Sequence, residues 1–305
     1  MGAESNPMGE FFERLGQRTI RSESSWWYEV QHRVLLSFPY YKLIKPSEAE
    51  INTLMHEHKL RAIRYPTTLE SFGFVSTLEL NSNHKYDLDC LHPTARRQTR
   101  QGLKNCIVQE IDFDYLEKTG LSLNRDTAKR RGRESQYADA DYWRKYCQAA
   151  KNTQGAIALG ALVGDELGSY VIAIVFDGWV NCLQTNSSSA LLSKRPSNAL
   201  LFEVTRHYLR DLEGYQICYG IGSLEEVSEL DRFKVRMGWE LKPIKQRLIF
   251  SNKMRYAFLP VREPCLKVLN RIFPKSYTVR KVSAMIRLYR RQTYDVPSSN
   301  SEQRT

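Results

Sequence analysis

The sequence has no long apolar segment and no paired cysteine motif. Its longest purely apolar run covers residues 170–176, far short of the roughly 20 residues that a membrane-spanning helix needs. Six cysteines are scattered along the chain without a CxxC pair: Cys90, Cys106, Cys147, Cys182, Cys218 and Cys265. Such cysteines are expected to be reduced core residues when no signal peptide is present. These features argue against a membrane-spanning protein and against a disulfide-rich secreted domain.

Targeting and metal-binding patterns are also lacking. The opening residues MGAESNPMGE show no charged-then-apolar signal pattern, and Asn6 stands where a myristoylation motif requires Ser or Thr. We therefore expect a cytoplasmic protein without an anchor. His56 and His58 are two residues apart, which places them on different sides of a helix, so no metal is predicted.

Composition and charge are those of a globular protein with a basic surface. Apolar residues make up 42% of the 305 residues and charged residues 26%, which is enough apolar surface for one large core with extensions. The net charge is +11. This excess favours anionic partners, such as phosphates, a CoA-like cofactor, nucleic acid or a membrane surface, without choosing among them.

The first half of the chain alternates short elements with a basic helix. Ser47 is a good N-cap for a helix that ends near His58, and a second helix is expected from His92 to Lys104 with Thr94 as its cap. Strands are predicted at residues 60–65, 72–80 and 105–111, and a further helix at residues 139–151. The polar, basic stretch at residues 122–136 is predicted to be a mobile loop.

The second half has the clearest pattern. Apolar segments at residues 155–163, 169–176 and 180–185 are separated by GDELG and DGW, which are turn sequences, so they predict an antiparallel meander. The elements expected next are a polar loop at 186–196, a helix carrying Leu200, Leu201, Val204 and Tyr208 on one face, a strand at 216–221, a helix at 225–237 and a strand at 239–250. This order predicts an α+β fold.

Three short segments carry a resemblance to a known family. They are HPTARRQTRQG from His92, KRPSNALL from Lys194 and DRFKVRMGW from Asp231. Their order around the meander resembles the GNAT superfamily of acyltransferases, in the branch related to Fem-type peptidoglycan aminoacyl transferases and BioF-associated acetyltransferases. The resemblance implies a mixed, mostly antiparallel central sheet flanked by helices. It also suggests four regions, namely a lead-in at 1–46, a shortened N-terminal GNAT-like part at 47–93, the acyltransferase domain at 94–252 and a basic extension at 253–305.

The resemblance implies where a donor would bind. In this superfamily the loop and helix after the fourth strand hold the pyrophosphate of acyl-CoA, and a helix N-terminus favours phosphate through its unpaired N–H groups. The corresponding residues here are Lys194, Arg195, Ser197, Asn198 and Ala199. The usual glycine-rich signature is absent, and Pro196 has no N–H. The alternative interpretation is an ordinary helix start with solvated basic residues.

Candidate catalytic and acceptor-binding residues follow from the chemistry of acyl transfer. An amine must lose a proton and the carbonyl oxygen needs a donor, for which Glu203, Tyr219 and Glu225 are the candidates, with Glu226 beside Glu225. Glu225 and Glu226 have a structural alternative as first-turn acids, and Tyr219 has one as a core residue. Arg96, Arg97, Arg100 and Lys234 are candidates for binding an anionic acceptor, and a solvated helix face is the alternative.

Three functional hypotheses remain open from the sequence. The leading one is an N-acyltransferase that moves an acetyl or similar group from acyl-CoA, without a metal, onto an amino sugar or other small amine. A second is Fem-like transfer from aminoacyl-tRNA, and a third is a non-catalytic protein that binds nucleic acid or a membrane. Residues 260–305 contain ten Lys and Arg and three acids. That segment is expected to form an amphipathic turn or two before a disordered end, and either aids solubility or holds the protein near anionic lipid.

Overall fold

The computed structural model describes most of the chain. The described ranges are 6–132, 134–212, 214–222, 229–258, 263–273 and 276–294. Glu225 and Glu226, and the predicted disordered end at 298–305, lie outside the described residues. All structural statements below concern the described ranges.

Eleven strands of the described chain form one mixed sheet. In chain order they are β1 (Thr19–Arg21), β2 (Trp26–Gln31), β3 (Val34–Phe38), β4 (Ala62–Thr67), β5 (Phe74–Asn81), β6 (Ile107–Glu110), β7 (Ala156–Val163), β8 (Glu166–Phe176), β9 (Trp179–Ser187), β10 (Gln216–Ile221) and β11 (Glu240–Phe250). The spatial order is β1-β2-β3-β4-β11-β5-β10-β9-β8-β7-β6. Neighbours are antiparallel except at β3–β4 and β9–β10, which are parallel.

Ten helices flank this sheet within the same ranges. They are α1 (Pro7–Arg14), α2 (Glu48–Glu57), α3 (Pro93–Asn105), α4 (Phe113–Arg130), α5 (Ala140–Lys151), α6 (Pro196–Arg206), α7 (Glu229–Arg236), α8 (Asn252–Phe258), α9 (Glu263–Ile272) and α10 (Tyr277–Tyr294). Asn6, Ser47, Asp112 and Asp139 cap four of them by accepting hydrogen bonds from first-turn N–H groups. The predicted fold class, a mostly antiparallel sheet flanked by helices, is confirmed.

Each parallel pair of strands is joined by a helix that crosses over the sheet. Parallel neighbours require such a connection, and α2 supplies it between β3 and β4 while α6 supplies it between β9 and β10. The chain therefore contains two similar strand-helix-strand units. The last strand, β11, lies between β4 and β5, and β5 in turn pairs with β10. The last strand of the sheet in sequence, β11, is thus inserted between two strands from the first part of the chain.

The core lies on both faces of the sheet, and β8 shows this most clearly. Tyr170, Ile172 and Ile174 pack into an aromatic cluster with α1, α4 and α5, while Val171 and Ala173 pack on the opposite face against α6. A strand covered on both faces has no polar side, which explains why residues 170–176 form a continuous apolar run.

Two local predictions are wrong. Residues 122–136 were expected to form a mobile loop, yet α4 continues to Arg130, because Leu116, Leu123 and Thr127 are buried on one side of an otherwise polar helix. The cap of the basic helix is His92 rather than Thr94, since the His92 side chain accepts a hydrogen bond from the N–H of Thr94.

The ends of the chain contain more regular structure than the sequence predicted. Residues expected to be a lead-in form β1, β2 and β3, with Trp27 and Phe38 fully buried, and the expected turn or two near residue 268 is the two helices α9 and α10. The region boundaries at 46, 93 and 252 stay a prediction. No described helix is both long enough and apolar enough to cross a bilayer.

Gly102 sets the distance between α3 and the start of α6. A Cβ added at this position would lie 2.6 Å from the carbonyl oxygen of Arg195 and 3.2 Å from the Ala199 Cβ. We expect Gly102→Ala to destabilise the fold by about 1–3 kcal/mol through overpacking, although Ala is the better helix former. Urea unfolding measures this. Lys104→Ala, an exposed change in the same helix, is the control, and a Gly102→Ala variant as stable as the parent contradicts the packing.

Candidate active site

A cavity of about 920 Å³ opens between β9 and β10. These parallel strands pair over only three residue pairs, the last being Cys218 with Asn181. Beyond that pair, β9 continues to Ser187 and β10 to Ile221, but the two strands no longer pair with each other. Cys182, Thr185 and Tyr219, which line the cavity, lie in this separated part. The cavity is therefore a direct consequence of the parallel pairing and the crossover through α6.

The N-terminus of α6 lies at one side of the cavity. Arg195 occupies the position before the helix in a left-handed conformation, with φ 62°, and no side chain caps the helix. Pro196, Ser197 and Asn198 of the first turn line the cavity. An uncapped helix start carries a partial positive charge of about half a unit and favours an anion. This side of the cavity is thus suited to a phosphate.

Three guanidinium-bearing residues surround the same opening. Arg130 and Arg131, at the C-terminal end of α4, line the cavity together with Arg195. The side chain of Arg130 donates to the hydroxyl oxygen of Ser189 at 2.8 Å. Within the described chain, the buried Nε of Arg195 has no hydrogen-bond partner. We call Arg130, Arg131 and Arg195 the basic rim.

A buried polar network fixes α4 against β9 and so positions the basic rim. The amide of Asn186 donates to the side-chain oxygen of Asn124 at 2.6 Å, and the hydroxyl of Tyr170 donates to the same oxygen. Thr127 donates to the carbonyl of Ser187 at 3.3 Å. Asn124 and Tyr170 are almost completely buried. Because every member of the network is paired, it holds the end of α4 in one place.

A charged cluster lies deep in the cavity. Lys234 of α7, with 3% of its surface exposed, donates a hydrogen bond to the carboxylate of Glu79 in β5. Its ammonium lies 3.5 Å from the centre of the Tyr219 ring. Burial lowers the pKa of Lys234 and raises the pKa of Glu79, against the attraction between the two charges. Asp231, one turn before Lys234, adds negative charge beside Glu79 and raises the pKa of Glu79 further.

Two aromatic side chains complete the inner wall. The rings of Tyr219 and Trp239 meet edge to face at 5.6 Å, and Lys234 lies over the Tyr219 ring. Burial raises the pKa of Tyr219 well above its usual value, so its hydroxyl remains protonated and can act as a donor. The indole N–H of Trp239 is buried, and no described group accepts a hydrogen bond from it. The inner wall therefore offers several donors to a carbonyl oxygen.

The structure brings some of the predicted site residues together and leaves others apart. Arg195, Ser197, Asn198, Tyr219 and Lys234 line the cavity. The others lie elsewhere: Ala199 is in the core, Lys194 is exposed outside the cavity, Glu203 is paired with Arg206 at 2.8 Å, Arg96 is paired with Asp89 at 3.2 Å, and Arg97 and Arg100 are exposed on α3.

Sequence reasoning missed Glu79 and the role of Arg130 and Arg131. Glu79 is 5% exposed, between the buried Leu78 and Leu80, and a charged residue between two leucines of a strand is the signal that could have indicated it. The sequence analysis assigned Arg130 and Arg131 to a mobile loop, so it did not predict that they lie at the C-terminal end of a helix.

Comparisons with known proteins identify the fold. No protein-family model matches the chain, and no curated protein matches it in sequence. Among solved structures, FemX superposes with a TM-score of 0.57 at 12% identity, over 83% of this chain and 93% of FemX. The chain therefore shares the fold of FemX, and the mostly antiparallel sheet flanked by helices that the sequence resemblance implied is confirmed.

Two further structures extend the likeness to lipid-related proteins. The C-terminal domain (DUF2156) of a chain from Agrobacterium fabrum, assigned as a lysylphosphatidylglycerol synthetase, superposes with a TM-score of 0.57 at 10% identity, over 84% of this chain and 91% of that one. L-PGS from Bacillus licheniformis gives 0.54 at 12% identity, over 94% and 98%. At these identities the likeness establishes the fold alone.

The pairing of Lys234 with Glu79 predicts a pH-dependent stability change. In Lys234→Met the Glu79 carboxylate loses its cation, which should cost about 3–5 kcal/mol at pH 8. The cost should be smaller at pH 5, because burial raises the pKa of Glu79 and the folded state then takes up a proton. When folding raises the pKa of a carboxyl group, the stability that its protonation adds to the folded protein is lost as the pH rises through that pKa.

Urea unfolding of the parent and Lys234→Met at both pH values measures this effect. The double variant Glu79→Gln/Lys234→Met is the control, since it leaves no unpaired charge at position 79 and should be more stable than Lys234→Met at pH 8. An equal penalty at both pH values contradicts the buried pair.

Proposed function

We propose that this protein is an acyltransferase that moves an acyl group from a phosphate-bearing donor onto an amine inside the cavity. The observation that carries the proposal is that β9 and β10 separate directly beside the uncapped start of α6. A phosphate-favouring rim and a buried cluster of proton donors therefore share one cavity. The fold shared with FemX supports the same class of reaction.

The donor would lie with its phosphates at the basic rim. Ser197 supplies the first backbone N–H of α6, since Pro196 has none, and the three arginines supply positive charge. Charge-assisted hydrogen bonds from guanidinium groups suit phosphate oxygens. Acyl-CoA, whose pyrophosphate and thioester are at opposite ends of an extended molecule, is the donor that we propose first.

The inner cluster would perform the chemistry. The amine nitrogen attacks the acyl carbonyl, a C–N bond forms, and the carbonyl oxygen becomes an oxyanion. The ammonium of Lys234 and the protonated hydroxyl of Tyr219 are the charge and the donor nearest that position, and such groups stabilise an oxyanion most when water is excluded. Collapse of the intermediate breaks the C–S bond and releases the thiolate.

A base must take the proton that the amine loses. Glu79 is suited to this role because burial raises its pKa, which makes its carboxylate a stronger base than an exposed one. Lys234 positions Glu79 through their hydrogen bond. The residue proposed as base is therefore Glu79 in β5, whereas the rim comes from the end of α4 and the start of α6.

An aminoacyl ester of tRNA is a second candidate donor, and the acids of the cavity favour it. Glu79 and Asp231 line the cavity and act electrostatically on Lys234. Two carboxylates beside one ammonium suit the α-ammonium of an aminoacyl group rather than an uncharged acetyl group. The net charge of +11 suits the phosphates of tRNA. The likeness to the lysylphosphatidylglycerol synthetase domain also points to an aminoacyl group.

Thermal-shift titration distinguishes the donors. A ligand that binds only the folded protein raises its melting temperature, so acetyl-CoA should raise it under the first proposal and charged tRNA, but not acetyl-CoA, under the second. Arg195→Gln should weaken binding of the active donor by about 10–100-fold, the value of one or two charge-assisted hydrogen bonds. Lys194→Gln, at the exposed neighbouring position, should leave binding unchanged. No shift with either donor contradicts the proposal.

A further inference from the structure

Helix α9 has an apolar face that the rest of the described chain leaves uncovered. Val268, Leu269, Ile272 and Phe273, the last residue directly after the helix, are 54%, 40%, 61% and 50% exposed. Cys265 is exposed as well. Only Leu266 of this helix is fully buried, at 1%, and it attaches α9 to the molecule. Large apolar side chains rarely cluster on a surface without a partner.

Helical spacing places these residues on one continuous face. Positions 268 and 272, and positions 269 and 273, are four residues apart, so they form two adjacent rows along the helix. Leu266 comes three residues before Leu269 and seven before Phe273, so it lies in line with one of these rows, and α9 packs against α10. Tyr256 of the preceding helix is 74% exposed. We call Cys265, Val268, Leu269, Ile272 and Phe273 the apolar face.

The segment of the chain that contains the apolar face is strongly basic. Residues 252–294 contain eleven Lys and Arg and one acidic residue, a surplus of ten where the whole chain has a net charge of +11. Lys267 and Arg271 are exposed on α9 itself and form a basic row beside the apolar face. Lys253 and Arg255 are exposed on α8. In the sequence, nearly all the excess positive charge thus falls in the segment that contains α9.

We propose that this surface docks on an anionic lipid bilayer, with the apolar face inserted at the headgroup boundary and the basic residues contacting lipid phosphates. A helix with an exposed apolar face and a basic flank lies in the plane of a membrane interface, and each basic residue near an anionic leaflet strengthens binding. A tyrosine ring is well placed at the headgroup level.

Charge complementarity favours the bilayer over other occupants. A second copy of the chain would bring two strongly basic surfaces together, which is unfavourable. Nucleic acid would neutralise the charge but leave four large aliphatic and aromatic side chains in water. An anionic bilayer satisfies both the charge and the apolar area. The inference does not depend on the proposed acyl transfer.

Vesicle co-sedimentation with the full chain tests the proposal. The protein should bind vesicles of phosphatidylcholine mixed with phosphatidylglycerol, bind pure phosphatidylcholine weakly, and lose binding as salt is raised. Ile272→Ser/Phe273→Ser should lower the partition coefficient at least about tenfold, because two exposed apolar side chains no longer enter the lipid. Lys267→Glu/Arg271→Glu should abolish the preference for anionic vesicles.

Two controls separate docking from general effects. Ile107→Ser removes an equally exposed apolar side chain, 66% exposed on the edge strand β6, and should bind vesicles like the parent. A polarity-sensitive dye on Cys265, in a Cys90→Ser background, should shift its emission to shorter wavelength on anionic vesicles. Equal binding to neutral and anionic vesicles overturns the proposal. The proposal is also overturned if Ile272→Ser/Phe273→Ser breaks a dimer of the protein and leaves lipid binding unchanged.

Discussion

The parallel pairing of β9 and β10 is the constraint on which the rest of the site depends. Parallel neighbours must be joined by a crossover, and α6 is that crossover. The two strands pair over three residue pairs and then separate. The first turn of α6 therefore faces the opening between them. The opening, the uncapped helix start and the inner wall formed by Tyr219 follow from this one arrangement.

Glu79, which pairs with Lys234 in the site, comes from the first part of the chain. β11 lies between β4 and β5, and β5 then pairs with β10, which brings Glu79 beneath Lys234. The buried pair costs desolvation energy on both sides, and such pairs rarely add stability over apolar residues. Its position inside a cavity lined by Arg130, Arg131 and Arg195 gives it a functional explanation. Neither half of the chain contains all of these residues, so the interleaved sheet is needed to assemble the site.

The sequence predicted the elements that depend on local pattern. The meander of β7, β8 and β9 was evident because its apolar runs are separated by Gly-containing turns, and the caps at Ser47 and Asp139 mark helix starts. Long-range pairings were not predictable. Nothing local indicates that Gln246 pairs with both Pro66 and Phe74, and this pairing is what places Glu79 in the cavity. The helix α4 was missed because its polar residues face solvent and the cavity, which leaves only a narrow apolar stripe.

The charged residues of the described chain are concentrated in two regions. Within the cavity three arginines surround a recess with several carboxylates, whereas most of the excess positive charge lies on the helices after β11.

The central claim is that the β9–β10 cavity holds an acyl donor with its phosphates at α6 and its carbonyl beside Lys234. A crystal structure with a non-hydrolysable donor analogue tests it most directly. The account predicts phosphate oxygens within hydrogen-bond distance of Ser197 and Arg195 and the carbonyl oxygen beside Lys234 or Tyr219. A donor bound elsewhere, with this cavity empty, would contradict it.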